Sequence, residues 1–301
     1  MFVITRSYVL SHPMMVYNLP EGETFNVLLT GDPDFVLEFA AILDRHNVPF
    51  GILPSMDEID ELGVELDLAD QLLSSSKGDE AEYSPYSDRV LSDVRATSGM
   101  FTHIVDLSVS AHFDRKITVE VASSVNPRAT IIASVLSNTA TELGMLANIA
   151  NRVVGVSLLP SIMSTVTTID MAAGLNTTTA HIQHAVALLK RLSYSVEVVE
   201  DRVGLVQVRV LAMLINEAAF AVMEGLATPE DIDKAMLLGV NYPKGPLAWA
   251  DEIGIGVVTL ILDGLRREYE QERYRPCVLL KQMMRAGWTG KAAGKGFFDY
   301  A

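Results

Sequence analysis

Basic residues, cysteines and long apolar runs are all scarce in this chain, and each scarcity excludes a class of function. Its 301 residues hold 23 Lys and Arg against 38 Asp and Glu, a formal charge of −15. A surface of that sign repels phosphate backbones and anionic lipid, so nucleic acid and membrane surfaces are not expected as partners. It also draws in no anionic ligand from a distance, so any phosphate-bearing molecule needs a locally positive site. Cys277 is the sole cysteine. One thiol cannot build an internal disulfide framework, which fits a reducing, cytoplasmic setting. No apolar run reaches the length of a membrane span, because charges interrupt every candidate. The opening MFVITRSYVLSHPMMVYN lacks a continuous apolar stretch before a small-residue cleavage site and does not read as a secretory signal. Neither a G-x-S-x-G elbow nor a P-loop occurs.

Apolar residues make up 49% of the chain, enough for a sizeable core and for two domains. Short apolar runs of strand type at Asn26–Thr30, Val48–Leu53, His103–Val109, Thr130–Leu136, Val153–Leu159 and Val196–Val199 alternate with helical patterns. The helices are expected through Asp44, near Asp114–Ser123, over Thr141–Ala150 and over Thr178–Leu192. That alternation predicts a parallel α/β sheet, with a further short strand expected within residues 1–24. From about Val203 the strand signals stop. The expected division is an α/β domain over 1–202 and an all-helical domain over 203–301.

The helical part is organised by Leu205 to Gly254. Leu205, Val208, Leu211, Ile215, Ala218 and Val222 recur at helical spacing, and Leu214 and Ala219 widen the stripe, which predicts a helix buried on most sides. Thr228-Pro-Glu-Asp then reads as an N-cap with Pro at the first helical position, opening a short helix that ends at Gly239. The stretch VRVLAMLINEAAFAVMEGLATPEDIDKAMLLGVNYPKGPLAWADEIG resembles the C-terminal domain of 3-hydroxyacyl-CoA dehydrogenases. In particular it resembles the second C-terminal repeat of two-repeat members such as 3-hydroxyadipyl-CoA dehydrogenases. The ending Gly290-Lys-Ala-Ala-Gly-Lys-Gly-Phe-Phe-Asp-Tyr300 is similar to the way that family ends. The likeness is dense from Val203 to Tyr300 and thin before it. It implies a Rossmann-like, doubly wound parallel sheet followed by a helical dimerisation domain, with NAD as cofactor and an acyl-CoA as ligand.

Set against that resemblance, the working positions depart from pattern. A dinucleotide fold feeds G-x-G-x-x-G from its first strand into a helix N-terminus, whose free N–H groups hold the pyrophosphate. Here the place reads Gly31-Asp-Pro-Asp-Phe-Val36: only Gly31 remains, Asp32 and Asp34 bring negative charge, and Pro33 removes a donor. The two aspartates are expected to cap the helix, with Pro33 near its first position. Pro54 and Ser55 stand where an acid for the ribose is expected. These features predict that ordinary NAD binding is lost. The family's catalytic His, in G-M-H-F-F-N-P, falls on Ser157 of Gly155-Val-Ser-Leu-Leu-Pro160. The Glu that orients it falls on Asp170 of Thr168-Ile-Asp-Met171. Aligned backward from Asp170, the His place is Leu158. Neither register supplies a base, and loss of general base catalysis removes a factor of about 10²–10⁴. The polar Ser-Asn-Thr-Ser loop reads Ser134-Val-Leu-Ser137, and Val208 stands where the resemblance expects a substrate-contacting asparagine, with Arg209 kept. Lys116 corresponds to a lysine after the third strand, either a phosphate contact or a solvated lysine at a helix start. The candidate catalytic residues are therefore Asp170, Ser134 and Ser157, and the candidate cofactor residues Gly31 and Lys116.

Other features have plainer readings. Ten acids and one base, Lys77, fall within Asp57–Glu82, which reads as a solvated acidic helix and loop or as a surface for a basic partner. His181 and His184 stand at i, i+3 without a third ligand in view, and so read as a half-buried pair rather than a metal site. His112 replaces the missing base only if a loop folds it toward Ser157. Met213, Met236, Met283 and Met284 read as core filler. Three functions follow as expectations. The first is a catalytically impaired family member that associates with acyl-CoA or with a partner. The second is an active NAD-dependent dehydrogenase with a non-standard site. The third is a structural subunit that forms a homodimer or heterodimer through its helical domain.

Overall fold

A computed structural model describes residues 24–54, 82–91, 99–109, 122–123 and 126–300. The expected first strand within 1–24, nearly all of the Asp57–Glu82 acidic stretch, most of the Asp114–Ser123 helix, Lys116 and His112 lie outside the described residues. In chain order the sheet strands are β1 (Val27–Gly31), β2 (Phe50–Ile52), β3 (His103–Leu107), β4 (Thr130–Ser134), β5 (Val153–Val156), β6 (Thr168–Ala173) and β7 (Ser195–Val199). Helices α1 (Pro33–Arg45), α2 (Ala140–Leu146) and α3 (Thr179–Arg191) are interleaved with them. Then come α4 (Gln207–Met223), α5 (Pro229–Gly239), α6 (Pro246–Ile253), α7 (Ile255–Tyr269) and α8 (Val278–Arg285). Among the described residues no helix is long and apolar enough to cross a membrane.

The sheet runs β2-β1-β3-β4-β5-β6-β7. Strands β1 to β5 are mutually parallel and wholly buried, as continuous Val/Ile/Leu runs such as VLLTG and TIIAS require of a sheet covered on both faces. The sheet is parallel as expected except at β6, which pairs antiparallel with β5. Residues 157–167 return the chain through turns instead of a crossover helix, and only an antiparallel neighbour can be reached that way. Helix α3 then supplies a crossover, so β7 lies parallel to β6. Several strands also end two or three residues earlier than the apolar runs suggest. Those C-terminal residues (Val135, Leu136, Leu158 and Leu159) stay buried as loop that packs toward the helices.

One apolar cluster is continuous from the sheet (Val105, Ile132, Val154, Val156) into the helical part (Ala212, Ile215, Ala219, Leu262). Helix α4 is its hinge element. Its buried stripe is Val208, Ala212, Ile215, Asn216, Ala218 and Ala219. Val206 and Val210 are about half exposed, so α4 is covered on one side by the sheet, α6, α7 and α8 and is not buried all round. Met283 is core, whereas Met284 is 39% exposed and is not the filler its spacing suggested. Thr228 caps α5 by accepting from the Asp231 N–H, with Pro229 in the first turn, as expected.

Buried carboxylates lock these helices together. Asp233 of α5 accepts from the Leu247 and Ala248 N–H groups at the start of α6, at 2.9 and 2.8 Å. A Cβ on Gly245 would sit 2.0 Å from the Asp233 carboxyl carbon, so only glycine leaves room. Asp251 accepts from the Phe297 and Phe298 N–H groups and from the Tyr300 hydroxyl. The family-like ending is thus a tail clamped onto α6. At the opposite end of the sheet His103, 1% exposed, donates from Nε2 to the His184 carbonyl and faces the Thr102 hydroxyl through Nδ1. His181 and His184 join it edge to edge.

Two outcomes are expected. Asp251→Ala leaves three donors without their acceptor and should cost about 3 kcal/mol or more in urea unfolding, with faster proteolysis of the tail. Burial, with the neighbouring His184 and His181, lowers the His103 pKa from 6.5 to about 4. The unfolded chain then binds a proton that the folded chain refuses. Stability should be level above pH 6.5 and fall by up to about 3 kcal/mol as the pH drops to about 4, a slope that His103→Phe should reduce.

Candidate functional site

The parallel sheet reverses its winding between β1 and β3, which is where a dinucleotide crevice opens in folds of this kind. Gly31 ends β1 at φ +121°, and a Cβ there would stand 2.4 Å from the Leu107 carbonyl carbon and the Ser108 nitrogen. The glycine therefore serves the close approach of β1 to the end of β3. Asp32 does not cap α1 as expected: its side chain makes no capping bond, and its Oδ2 accepts from the Val109 N–H at 2.5 Å. The competing donor won because Val109 sits across the mouth of the crevice, and the backbone carbonyl of Asp32 already receives the N–H groups of Phe35 and Val36. Pro33 occupies the first turn and Asp34 projects to solvent. A bridged crevice, two carboxylates and a missing donor do not fit a dinucleotide diphosphate.

A second opening lies between the sheet and α4, a cavity of about 440 Å³. The β5–β6 loop forms one wall with Ser157, Leu158, Leu159, Ile162, Met163 and Val166. Val206, Gln207, Val208, Val210, Leu211 and Leu214 of α4 and its first turn form the second, and Tyr242 and Trp249 the third. Both candidates for the histidine position, Ser157 and Leu158, line it, as does Val208. In either register the lining carries no His, Asp, Glu, Lys, Arg or Cys among the described residues. Ser157 is 5% exposed, and its Oγ has no hydrogen-bond partner among the described residues.

Asp170 is beside the cavity but committed elsewhere. Its Oδ2 accepts from the Val206 and Gln207 N–H groups at 3.1 and 2.7 Å, closing the N-terminus of α4, where orphan amides favour an anion. Its backbone carbonyl receives the Ser157 N–H at 3.3 Å. Ser134 is buried at the end of β4 and does not line the cavity. The loop after it docks helices instead: the Ser137 carbonyl accepts from Arg267, and Gly264 of α7 lies so close that a Cβ would be 2.7 Å from that oxygen. Arg209 turns away to the hydroxyls of Tyr269 and Tyr274. The structure thus brings Ser157, Val208 and Asp170 together, sets Ser134 opposite Val156 on the neighbouring strand but outside the cavity lining, and leaves Gly31 apart from them.

The cavity's walls are held from behind. Glu38 of α1 accepts from the Ser161 and Ser164 N–H groups at 2.6 and 3.1 Å. The Tyr194 hydroxyl donates to the Met163 carbonyl, and burial pushes its pKa up to about 12. Sequence reading missed these supports and the aromatic wall. Tyr242 and Trp249 stand inside the NYPKGPLAWA motif, and two aromatics seven residues apart around a Pro-Gly-Pro turn were the available signal.

Comparison with known proteins assigns the fold and the family. The family model for the 3-hydroxyacyl-CoA dehydrogenase C-terminal domain matches residues 204–300. A 3-hydroxybutyryl-CoA dehydrogenase of Clostridioides difficile is 30% identical over 198 residues, 65% of this chain and 70% of that protein. The chain belongs to the 3-hydroxyacyl-CoA dehydrogenase family. A probable 3-hydroxybutyryl-CoA dehydrogenase of Bacillus subtilis is 38% identical over 175 residues, 58% of this chain and 61% of that protein. The alignment therefore spans less than two thirds of the Bacillus relative. The crystal structure of (S)-3-hydroxybutyryl-CoA dehydrogenase from Ralstonia eutropha superposes with a TM-score of 0.70 at 24% identity, over 93% of this chain and all of the other, and shares the fold.

Within this family fold, Gly31→Ala should destabilise the chain by about 3 kcal/mol or prevent folding, because main chain stands where the methyl must go. A thermal melt of the variant checks this; an unchanged melting temperature would show that β1 and β3 do not depend on the contact.

Proposed function

We propose that this chain is a member of the 3-hydroxyacyl-CoA dehydrogenase family that has lost hydride transfer and keeps the cleft between β5 and α4 as an acyl-CoA binding site. The observation that carries the reading is the cleft itself. It is concave, apolar and built from the segments that resemble the family's His and Asn positions, yet among the described residues no side chain lining it can take a proton near neutral pH. Oxidation of a 3-hydroxyl needs such an acceptor, because hydride departure leaves the hydroxyl proton to be removed. Asp170 lies beside the cleft, and its carboxylate is held by the N–H groups of Val206 and Gln207. The bridged crevice at Gly31 and Asp32 supports the same reading from the cofactor side.

The relatives' names support a second reading, an active NAD-dependent dehydrogenase whose base comes from elsewhere in the chain, with His112 the first candidate. A third role is compatible with the first. Leu226, Leu238 and Val240, on and around α5, are 79%, 77% and 56% exposed. We assign that apolar face to pairing with a second copy or with a separately encoded catalytic chain.

Titration of the purified chain with NADH, followed by fluorescence enhancement, should show no micromolar binding, and acetoacetyl-CoA with NADH should show no turnover, while acyl-CoA binds. Turnover that Asp170→Ala abolishes would establish the active reading instead.

A further inference from the structure

We propose that Arg209 and Arg273 form an anion site, separate from the cleft, that takes the phosphate group of a phosphorylated ligand. Both arginines are anchored on one oxygen. Arg209 of α4 donates from Nη2 to the Tyr274 hydroxyl, and from Nη1 to the Tyr269 hydroxyl at 3.3 Å. Arg273, in the single turn Glu272–Tyr274 that follows α7, donates from Nη2 to the same Tyr274 hydroxyl at 2.5 Å. Two hydrogen bonds to a single oxygen hold their donors no more than about 6 Å apart, so two full positive charges are pressed together.

That repulsion is left uncompensated. Among the described residues neither Arg209 nor Arg273 forms an ion pair, although the arginines around them do. Arg266 and Arg275 face Glu272 at 3.5 and 3.6 Å, and Arg267 faces Glu142 at 4.0 Å. The end of α7 at Tyr269 supplies partial negative charge, equivalent to about half an elementary charge against two whole ones. Acidic side chains are plentiful in a chain of formal charge −15, yet none is paired with these two cations. A place for an anion from outside is what remains.

The chemistry fits a phosphoryl group. The Arg209 guanidinium lies 4.8 Å from the Tyr269 ring centre and 5.2 Å from that of Tyr274, and the Arg273 guanidinium lies 4.6 Å from the Tyr274 ring. Stacking fixes the guanidinium planes and leaves N–H edges for oxygens, the arrangement in which arginine reads phosphate. Tyr274 is buried and serves as the anchor. Arg273 is exposed and Arg209 and Tyr269 are half-buried, so these three present the site to solvent. The Tyr269 hydroxyl accepts from Arg209 and donates to no described residue, which leaves its proton available. A carboxylate offers two oxygens and one charge, whereas a phosphate monoester offers three oxygens and up to two charges, matching two cations and a phenol. Arg209 stands between Val208 and Val210 of the cleft wall, about 100° round the helix from each. An anion there needs no acyl group in the cleft.

The test is a thermal melt of the full chain with sodium phosphate, at an ionic strength matched with chloride, beside the same melt of Arg273→Gln. Phosphate at about ten times its dissociation constant should raise the melting temperature by roughly 3 °C. Arg273→Gln should lose that rise, while its melting temperature without phosphate is unchanged or higher because a like charge has gone. Tyr269→Phe keeps the stacked ring, removes the hydroxyl and should weaken phosphate about fivefold. Calorimetric titration with CoA and with 3′-dephospho-CoA then identifies the source of the phosphate. At least about tenfold tighter binding of CoA, lost in Arg273→Gln, marks the 3′-phosphate of a CoA ligand. Equal binding of the two, beside an intact phosphate response, marks a different phosphorylated molecule. Neither form binding, beside that response, removes the acyl-CoA reading above and leaves this site standing. A phosphate response of equal size in wild type and Arg273→Gln is the general stabilising effect of the salt and overturns the site, as does no response in the wild type.

Discussion

A carboxylate laid against paired backbone N–H groups of a distant segment is the contact on which this fold depends. Asp170 joins β6 to the start of α4, and Asp201 accepts from Ala140 and Thr141 at the start of α2. Asp233 joins α5 to α6, Glu38 joins α1 to the β5–β6 loop, and Asp251 joins α6 to the tail. Helix N-termini leave their first amides without intrahelical partners, and an anion there also meets the positive end of the helix dipole. A side chain from elsewhere that fills this place satisfies donors and fixes a junction at once. The acidic excess of the chain therefore has a structural use as well as a solvated one.

The arrangement carries constraints of its own. Burial raises the pKa of Asp233 and Asp251, an effect that the amide bonds to each carboxylate only partly offset. Room must be left beside each carboxylate. A Cβ on Gly245 would stand 2.0 Å from the Asp233 carboxyl carbon, and one on Gly296 would stand 2.0 Å from the Asp251 Oδ1. The Pro-Lys-Gly-Pro and Gly-Lys-Gly motifs that make the family legible are thus the clearances around two buried acids. They report how the helical part is assembled and carry no information about turnover.

The same contact separates scaffold from chemistry at the cleft. Asp170, which the resemblance puts in the place of a catalytic acid, sits beside the cavity with its carboxylate on the first amides of α4. With Ser157 or Leu158 at the histidine place that the resemblance implies and Val208 at the asparagine place, the described residues around the cleft form a shaped apolar volume. The function proposed above is built on that volume.

Much of this was legible from residues alone. Periodicity located the described strands except β6, which was not expected, because each element buries one face or both, and Thr228-Pro announced its own cap. Composition and motif placed the chain in its family and singled out Gly31, Ser157, Asp170 and Val208. Tertiary structure decided what those positions do, since each answer depends on a partner remote in sequence. Gly31 answers to Leu107 and Ser108, Asp32 to Val109, Asp170 to Val206 and Gln207, and the β5–β6 loop to Glu38. Local pattern reports which face of an element is apolar. It cannot report which distant donor reaches a carboxylate first, nor that the β5–β6 connection is too short for a crossover helix and turns the sixth strand antiparallel.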